Sequence, residues 1–148
     1  MRLAFILVLV AATAYADDKA LKPYAGQVVL SPDAPSSNFN ELPAFLKANF
    51  DKSGHYELVK WDVNFVGVLA KPADKVTLVV TDPSAKPDAG TTELISIELA
   101  SARSVVIGHF TPTKAAGFAE GKPYAVTLVS ITGSGKVVVA KAELVLRR

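Results

Sequence analysis

From Val59 onward, apolar and polar residues alternate along the chain. Val59, Trp61, Val63, Phe65 and Leu69 share one parity, with Gly67 among them, and Lys60, Asp62 and Asn64 take the other. A strand sends successive side chains to opposite faces, so the first set is expected to line a core. Lys71-Pro72-Ala73-Asp74 breaks the run as a turn. Val76, Leu78 and Val80 then alternate with Lys75, Thr77 and Thr81, and residues 82–90 form a loop rich in Pro, Asp and Gly. Ile95, Ile97 and Leu99 alternate with Ser96 and Glu98, and residues 103–110 are a further β-rich run without a clear parity. Tyr124, Val126 and Leu128 start another strand. Val129 and Ile131 continue it on the opposite parity, which predicts a bulge or two covered faces. Gly133-Ser134-Gly135 is a short hairpin turn. Val138, Ala140, Ala142, Leu144 and Leu146 are expected on the inner face of the last strand, with Lys141, Glu143 and Arg147 pointing out. Residues 27–30 make a short first strand.

About seven strands at short spacing predict a mainly β fold, a single antiparallel β-sandwich with one short helix between the first two strands. The helix is read at residues 38–50, where Leu42, Phe45, Leu46 and Phe50 recur at helical spacing. Asn40 is its expected N-cap, and Pro43 falls in the first turn, where proline is tolerated. The turn Asp51-Lys52-Ser53-Gly54 ends it, and its expected place is across one end of the sandwich.

The beginning of the chain follows another pattern. Arg2 precedes an almost unbroken apolar run over residues 3–12, Ala14-Tyr15-Ala16 is a small-x-small cleavage site, and Asp17-Asp18 opens the next segment. That is the pattern of a secretory signal peptide at residues 1–16. The run is shorter than the roughly 20 apolar residues that span a bilayer. Residues 17–24 read as a lead-in and 25–148 as the sandwich domain. The expected location is secreted or periplasmic, with no lipid anchor and no membrane span after cleavage.

Composition narrows the chemistry. The chain has 148 residues, with 16 Lys+Arg, 14 Asp+Glu, 2 His and no Cys. A net charge of +2 is too small to point to nucleic acid or a membrane surface. Without cysteine there is no disulfide framework, thiolate metal site, type 1 copper site or cysteine nucleophile. A histidine mechanism rests on His55 or His109. A metal site needs three or four convergent ligands. His55 shares a parity with Glu57, whereas His109 ends a different strand, and both read first as surface residues. There is no Gly-x-Ser-x-Gly elbow and no phosphate-binding Gly-x-x-x-x-Gly-Lys-Ser/Thr loop. A paired-carboxylate glycosidase stays open, because two acids can come from anywhere in a chain. The acids here sit mostly on outward parities or in turns, the usual places of solvated charge. Lys47, Lys52, Lys60, Lys71 and Lys75 interleave with Asp51, Glu57, Asp62 and Asp74, which reads as a mixed soluble surface. No cofactor is expected.

Gly121-Lys122-Pro123-Tyr124-Ala125-Val126-Thr127-Leu128 resembles the start of the penultimate strand in immunoglobulin-like and fibronectin type III-like domains. The resemblance implies a tyrosine hydroxyl that bonds back to nearby backbone and locks a corner. Trp61 resembles the core tryptophan of immunoglobulin folds, and its parity with Val63 and Phe65 also places it in the core. At the level of strand count the resemblance covers residues 25–148, but it rests on Trp61 and Tyr124 alone. The inter-sheet cysteine pair is absent, as it is in fibronectin type III-like modules, and the helix between the first two strands departs from both patterns. A transthyretin-like sandwich is the alternative topology. Fold analogy implies no function.

The sequence reads best as a secreted or periplasmic, non-catalytic β-sandwich module with a structural or protein-interaction role. Its expected partner is another envelope or extracellular protein. Binding is expected at a free sheet edge or in the loops at residues 31–38 and 83–92, with Pro35, Ser36, Lys86 and Asp88 as candidate contacts. One alternative is a carbohydrate-binding module that stacks sugars on Trp61 or on exposed tyrosines. The other is an unrecognised hydrolase or metal-binding protein.

Overall fold

Runs of β-branched and aromatic residues fit a pleated surface buried on at least one side, and most such runs in this chain become strands. The computed structural model describes residues 18–36, 38–71, 73, 75–84, 93–100, 104–132 and 135–148. The expected signal peptide, Lys86, Asp88 and the Gly133-Ser134 part of the hairpin turn lie outside these residues. A helical turn, α1 (Asp18–Leu21), and a 3-10 turn at Lys22–Tyr24 lead into β1 (Gln27–Ser31). A second 3-10 turn (Phe39–Glu41) and α2 (Leu42–Asn49) follow. Then come β2 (His55–Leu58), β3 (Val63–Val68), β4 (Lys75–Thr81), β5 (Glu93–Ala100), β6 (Val105–Phe110), β7 (Pro123–Thr132) and β8 (Gly135–Leu146).

The fold is mainly β, but it is not a clear antiparallel sandwich. The strands form one eight-stranded sheet in the order β5-β4-β7-β8-β1-β3-β6, with β2 also on β8. The sheet is mixed, nearly closed and barrel-like. Strand β8 explains the difference. It is 12 residues long and pairs with β7 along one edge, from Gly135 to Val145. Its other edge is shared by two short strands that run parallel to it. Gln27 of β1 pairs with Lys141, and His55–Leu58 pair with Glu143–Leu146. Both partners are remote from β8 in sequence, so no hairpin imposes an antiparallel direction.

The same arrangement breaks the long alternating run. β2 runs along β8, whereas β3 runs antiparallel to β1, so the chain must turn between them. Residues 59–62 make that turn. Val59 is 67% exposed and not the core residue its parity predicts, whereas Trp61 is half-buried and packs against the edge of the core cluster. Beyond the break, Val63–Val68 is buried on both faces. Gly67 is needed there, because a Cβ on it would meet the Leu128 side chain of β7. That contact sets β3 and β7 on facing walls of the interior. Gly108 of β6, opposite Phe65 of β3, is covered by the Phe65 ring, whose Cζ would lie 2.5 Å from an added Cβ.

Helix α2 lies against β1 and buries Leu42 and Leu46 in the core cluster. Asn40 is not its N-cap. Glu41 holds that position without a side-chain bond, and Asn40 lies in the preceding 3-10 turn, where its N–H donates to Asn38 Oδ1 at 3.0 Å. The helix ends where the Phe50 N–H donates to the Leu46 carbonyl, and Asp51 then accepts from the Ser53 N–H and hydroxyl at 2.8 and 2.6 Å. A T-shaped contact between Tyr24 and Phe50, with centroids 5.0 Å apart, ties the lead-in to this end.

The parity change in β7 coincides with a register shift. Leu128 pairs with Ala140 but Val129 with Val138, which leaves Val139 as the extra residue of β8. Val139 and Ala140 are both buried as a result, and Val138 is turned outward, 54% exposed, instead of lying on the inner face.

Candidate functional site

The described side chains present three surface features with chemistry. All involve β8 or its immediate neighbours.

The first lies at the C-terminal end of β8. Parallel pairing of β2 with β8 sets His55 opposite Glu143, and its Nδ1 meets Glu143 Oε1 at 2.6 Å. Glu57, two residues along the same face, lies 3.6 Å from His55 Nε2 and accepts from Arg147 Nη2 at 3.0 Å. The Glu143 carboxylate, with Glu57 behind it, raises the His55 pKa above its ordinary value. Arg147, and then His55, lower that of Glu57. Beside this chain of charges the indole N–H of Trp61 donates to the Arg147 carbonyl at 3.2 Å. The ring is thereby pinned by one edge, and it lines a recess of 280 Å³ with Lys114 and Arg148.

The second is a groove of 330 Å³ over β7 and β8. Lys141 stands opposite Thr127, and Lys52 and Ser53 enter from the turn before β2. Neither lysine has a carboxylate partner among the described residues. At the edge of the groove, Asp82 follows β4 and pairs with Lys122, which precedes β7. Lys122, and then the Ser84 hydroxyl, hold the Asp82 carboxyl down at about 2.

The third is apolar. Beyond the register shift, Val129, Ile131, Val138 and Lys136 come to one outer face of the β7–β8 hairpin, beside Thr77 and Val79 of β4. Ile131 is 68% exposed. Most of these residues border a recess of 270 Å³ together with Glu93 and Ser96 of β5.

Tyr124 is fully buried, and its hydroxyl accepts the Ala119 N–H at 2.6 Å, the backward bond expected for a corner tyrosine. The Phe118 ring packs on it at 4.8 Å. Pro35 is half-buried and Ser36 exposed. The Ser36 Oγ accepts the Asn38 N–H at 3.1 Å, a local turn that leads into the 3-10 segment before α2. Neither residue lines any of the three features. The two histidines take separate carboxylates, His55 with Glu143 and His109 with Asp62. Among the described residues no three His, Asp or Glu side chains come together to hold a metal, and no helix is long and apolar enough to cross a membrane.

The sequence reading missed the apolar hairpin face. Its signal was present, since unbroken alternation from Tyr124, Val126 and Leu128 places the apolar Val129 and Ile131 on the outer face of β7. It named Trp61 as an alternative sugar platform but missed Lys114 and Arg148 beside it, for which no local signal exists, because they reach the recess from distant segments. No protein-family model, no curated protein and no solved structure matches the chain.

Proposed function

We propose that the chain is a secreted or periplasmic, non-catalytic β module that docks onto another envelope or extracellular protein through the outer face of the β7–β8 hairpin. The observation that carries this reading is the exposed pair Ile131 and Val138, backed by Val79 and Val129 on the same face. Scattered exposed aliphatics are ordinary, but a contiguous apolar group on a strand face marks an interaction surface. Lys136 and Lys141 stand along the same face without carboxylate partners among the described residues. The complementary surface is therefore apolar with an acidic border, and the opposite charges speed and orient the encounter.

The test begins with affinity capture from the envelope or extracellular fraction, followed by binding of the purified captured protein. The expected result is a binary complex that the paired change Ile131→Ser and Val138→Ser weakens at least about tenfold, on the order of 1.4 kcal/mol. Lys141→Glu slows its formation. An affinity unmoved by the hairpin changes overturns the reading. So does a hairpin that drives self-association of the purified chain, seen by light scattering.

A further inference from the structure

At the far end of β8, roughly 40 Å along the strand from its start at Gly135 at about 3.3 Å per residue, the Trp61 recess has a different character. Its wall is an aromatic ring whose only polar atom is already engaged by the Arg147 carbonyl. What the ring offers a ligand is therefore apolar surface. Its rim is cationic. Lys114 stands exposed in the turn after β6 and has no carboxylate partner among the described residues. Arg148 makes only a loose, exposed pair with Glu120, at 3.8 Å. The neighbouring acids are held elsewhere, Glu57 by Arg147 at 3.0 Å and Asp62 by His109. The recess thus combines a pinned indole with two cations that are available to a ligand.

We infer that this recess binds an acidic sugar, a pyranose ring packed on the Trp61 indole with its carboxylate or sulfate held by Lys114 and Arg148. The volume of 280 Å³ suits one ring with its substituent, at the lower end of the range of small-ligand sites. Each half of the arrangement excludes a rival. A neutral sugar uses the indole and leaves both cations unused. An acidic peptide uses the cations and gains little from a flat apolar wall. The inference is independent of the hairpin reading, since it uses none of the same residues.

The experiment is calorimetric titration of the full chain at low salt with four probes: oligogalacturonate, a sulfated oligosaccharide, a neutral galactose oligomer and oligoglutamate. Trp61 is the chain's one tryptophan, so its emission gives a second readout at the site itself. Saturable binding of the uronate or the sulfated probe is expected, with a change in Trp61 emission, and which of the two binds identifies the anion. Lys114→Gln, a change in an exposed turn, is expected to weaken it at least about fivefold, and added salt to weaken it further. Trp61→Leu is expected to abolish it in protein whose far-ultraviolet spectrum is unchanged. Equal binding of the neutral oligomer overturns the inference, as does binding of oligoglutamate that survives Trp61→Leu. Absence of saturable binding of both acidic sugars up to about 10 mM, a free energy near 2.7 kcal/mol, overturns it as well.

Discussion

Tyr124 and Trp61 show the two ways a single residue can be read from sequence. The tyrosine sits where a polar tip on an apolar body must find a backbone partner once buried, and Ala119 is only five positions upstream, so local sequence carries the whole geometry. Tyr124→Phe leaves the Ala119 N–H without its acceptor and is expected to cost about 1–3 kcal/mol, measured by urea unfolding. Parity alone does not place Trp61, because parity assumes one continuous strand and the strand is interrupted at residues 59–62, which leaves Trp61 at the edge of the core cluster. Gly108 was invisible as a packing residue, since its need comes from the Phe65 ring on another strand. Gly108→Ala forces that ring to move in a filled core and is expected to destabilise by about 1–3 kcal/mol, again by urea unfolding.

At the scale of elements, the charged contacts join strands rather than cover them. Asp82 and Lys122 link the end of β4 to the start of β7. A carboxyl held down at about 2 in the folded state contributes stability above its ordinary 3.8, and that contribution is lost as the pH falls through about 2. Lys122→Met removes the largest cause, so the folded-state pKa rises toward 3.8 and the carboxylate contributes less stability. The acid unfolding midpoint, followed by circular dichroism, is expected to move upward. His55 links β2 to β8 with the opposite sign. Its pKa is raised, so its contribution is complete below about 6.5 and fades as the pH rises through the raised value. Thermal unfolding temperatures taken between about pH 6 and 9 are expected to fall less in His55→Gln than in the parent, with a small difference because the pair is exposed.

For the whole molecule, β8 is the hub. It pairs with β7, β1 and β2, and through them joins both ends of the sheet order. No group of strands is left with a core of its own, so unfolding is expected to be a single cooperative transition. Trp61 emission and far-ultraviolet circular dichroism should give superimposable denaturation curves. An emission change that precedes the loss of strand signal instead shows the Trp61 end opening separately. The placement of the two proposed sites follows from the same strand, with the apolar face at its hairpin end and the aromatic recess at its other end.

What the sequence determined by itself is what neighbouring residues decide among themselves. Alternation marked most of the described strands, helical spacing marked α2, the parity change at Val129 marked the register shift against β8, and Tyr124 marked the backward bond to Ala119. Partner choice was decided only in three dimensions. Alternation states which side chains share a face but carries nothing about which strand lies alongside or in which direction. An edge long enough for two short parallel strands therefore reads the same as an edge paired with one. The sheet became mixed and nearly closed rather than a clear antiparallel sandwich for that reason, Val59 left the core, and Trp61 moved to its edge. The recess that joins Trp61 to Lys114 and Arg148 exists only because that pairing brings three distant segments to one end of the sheet.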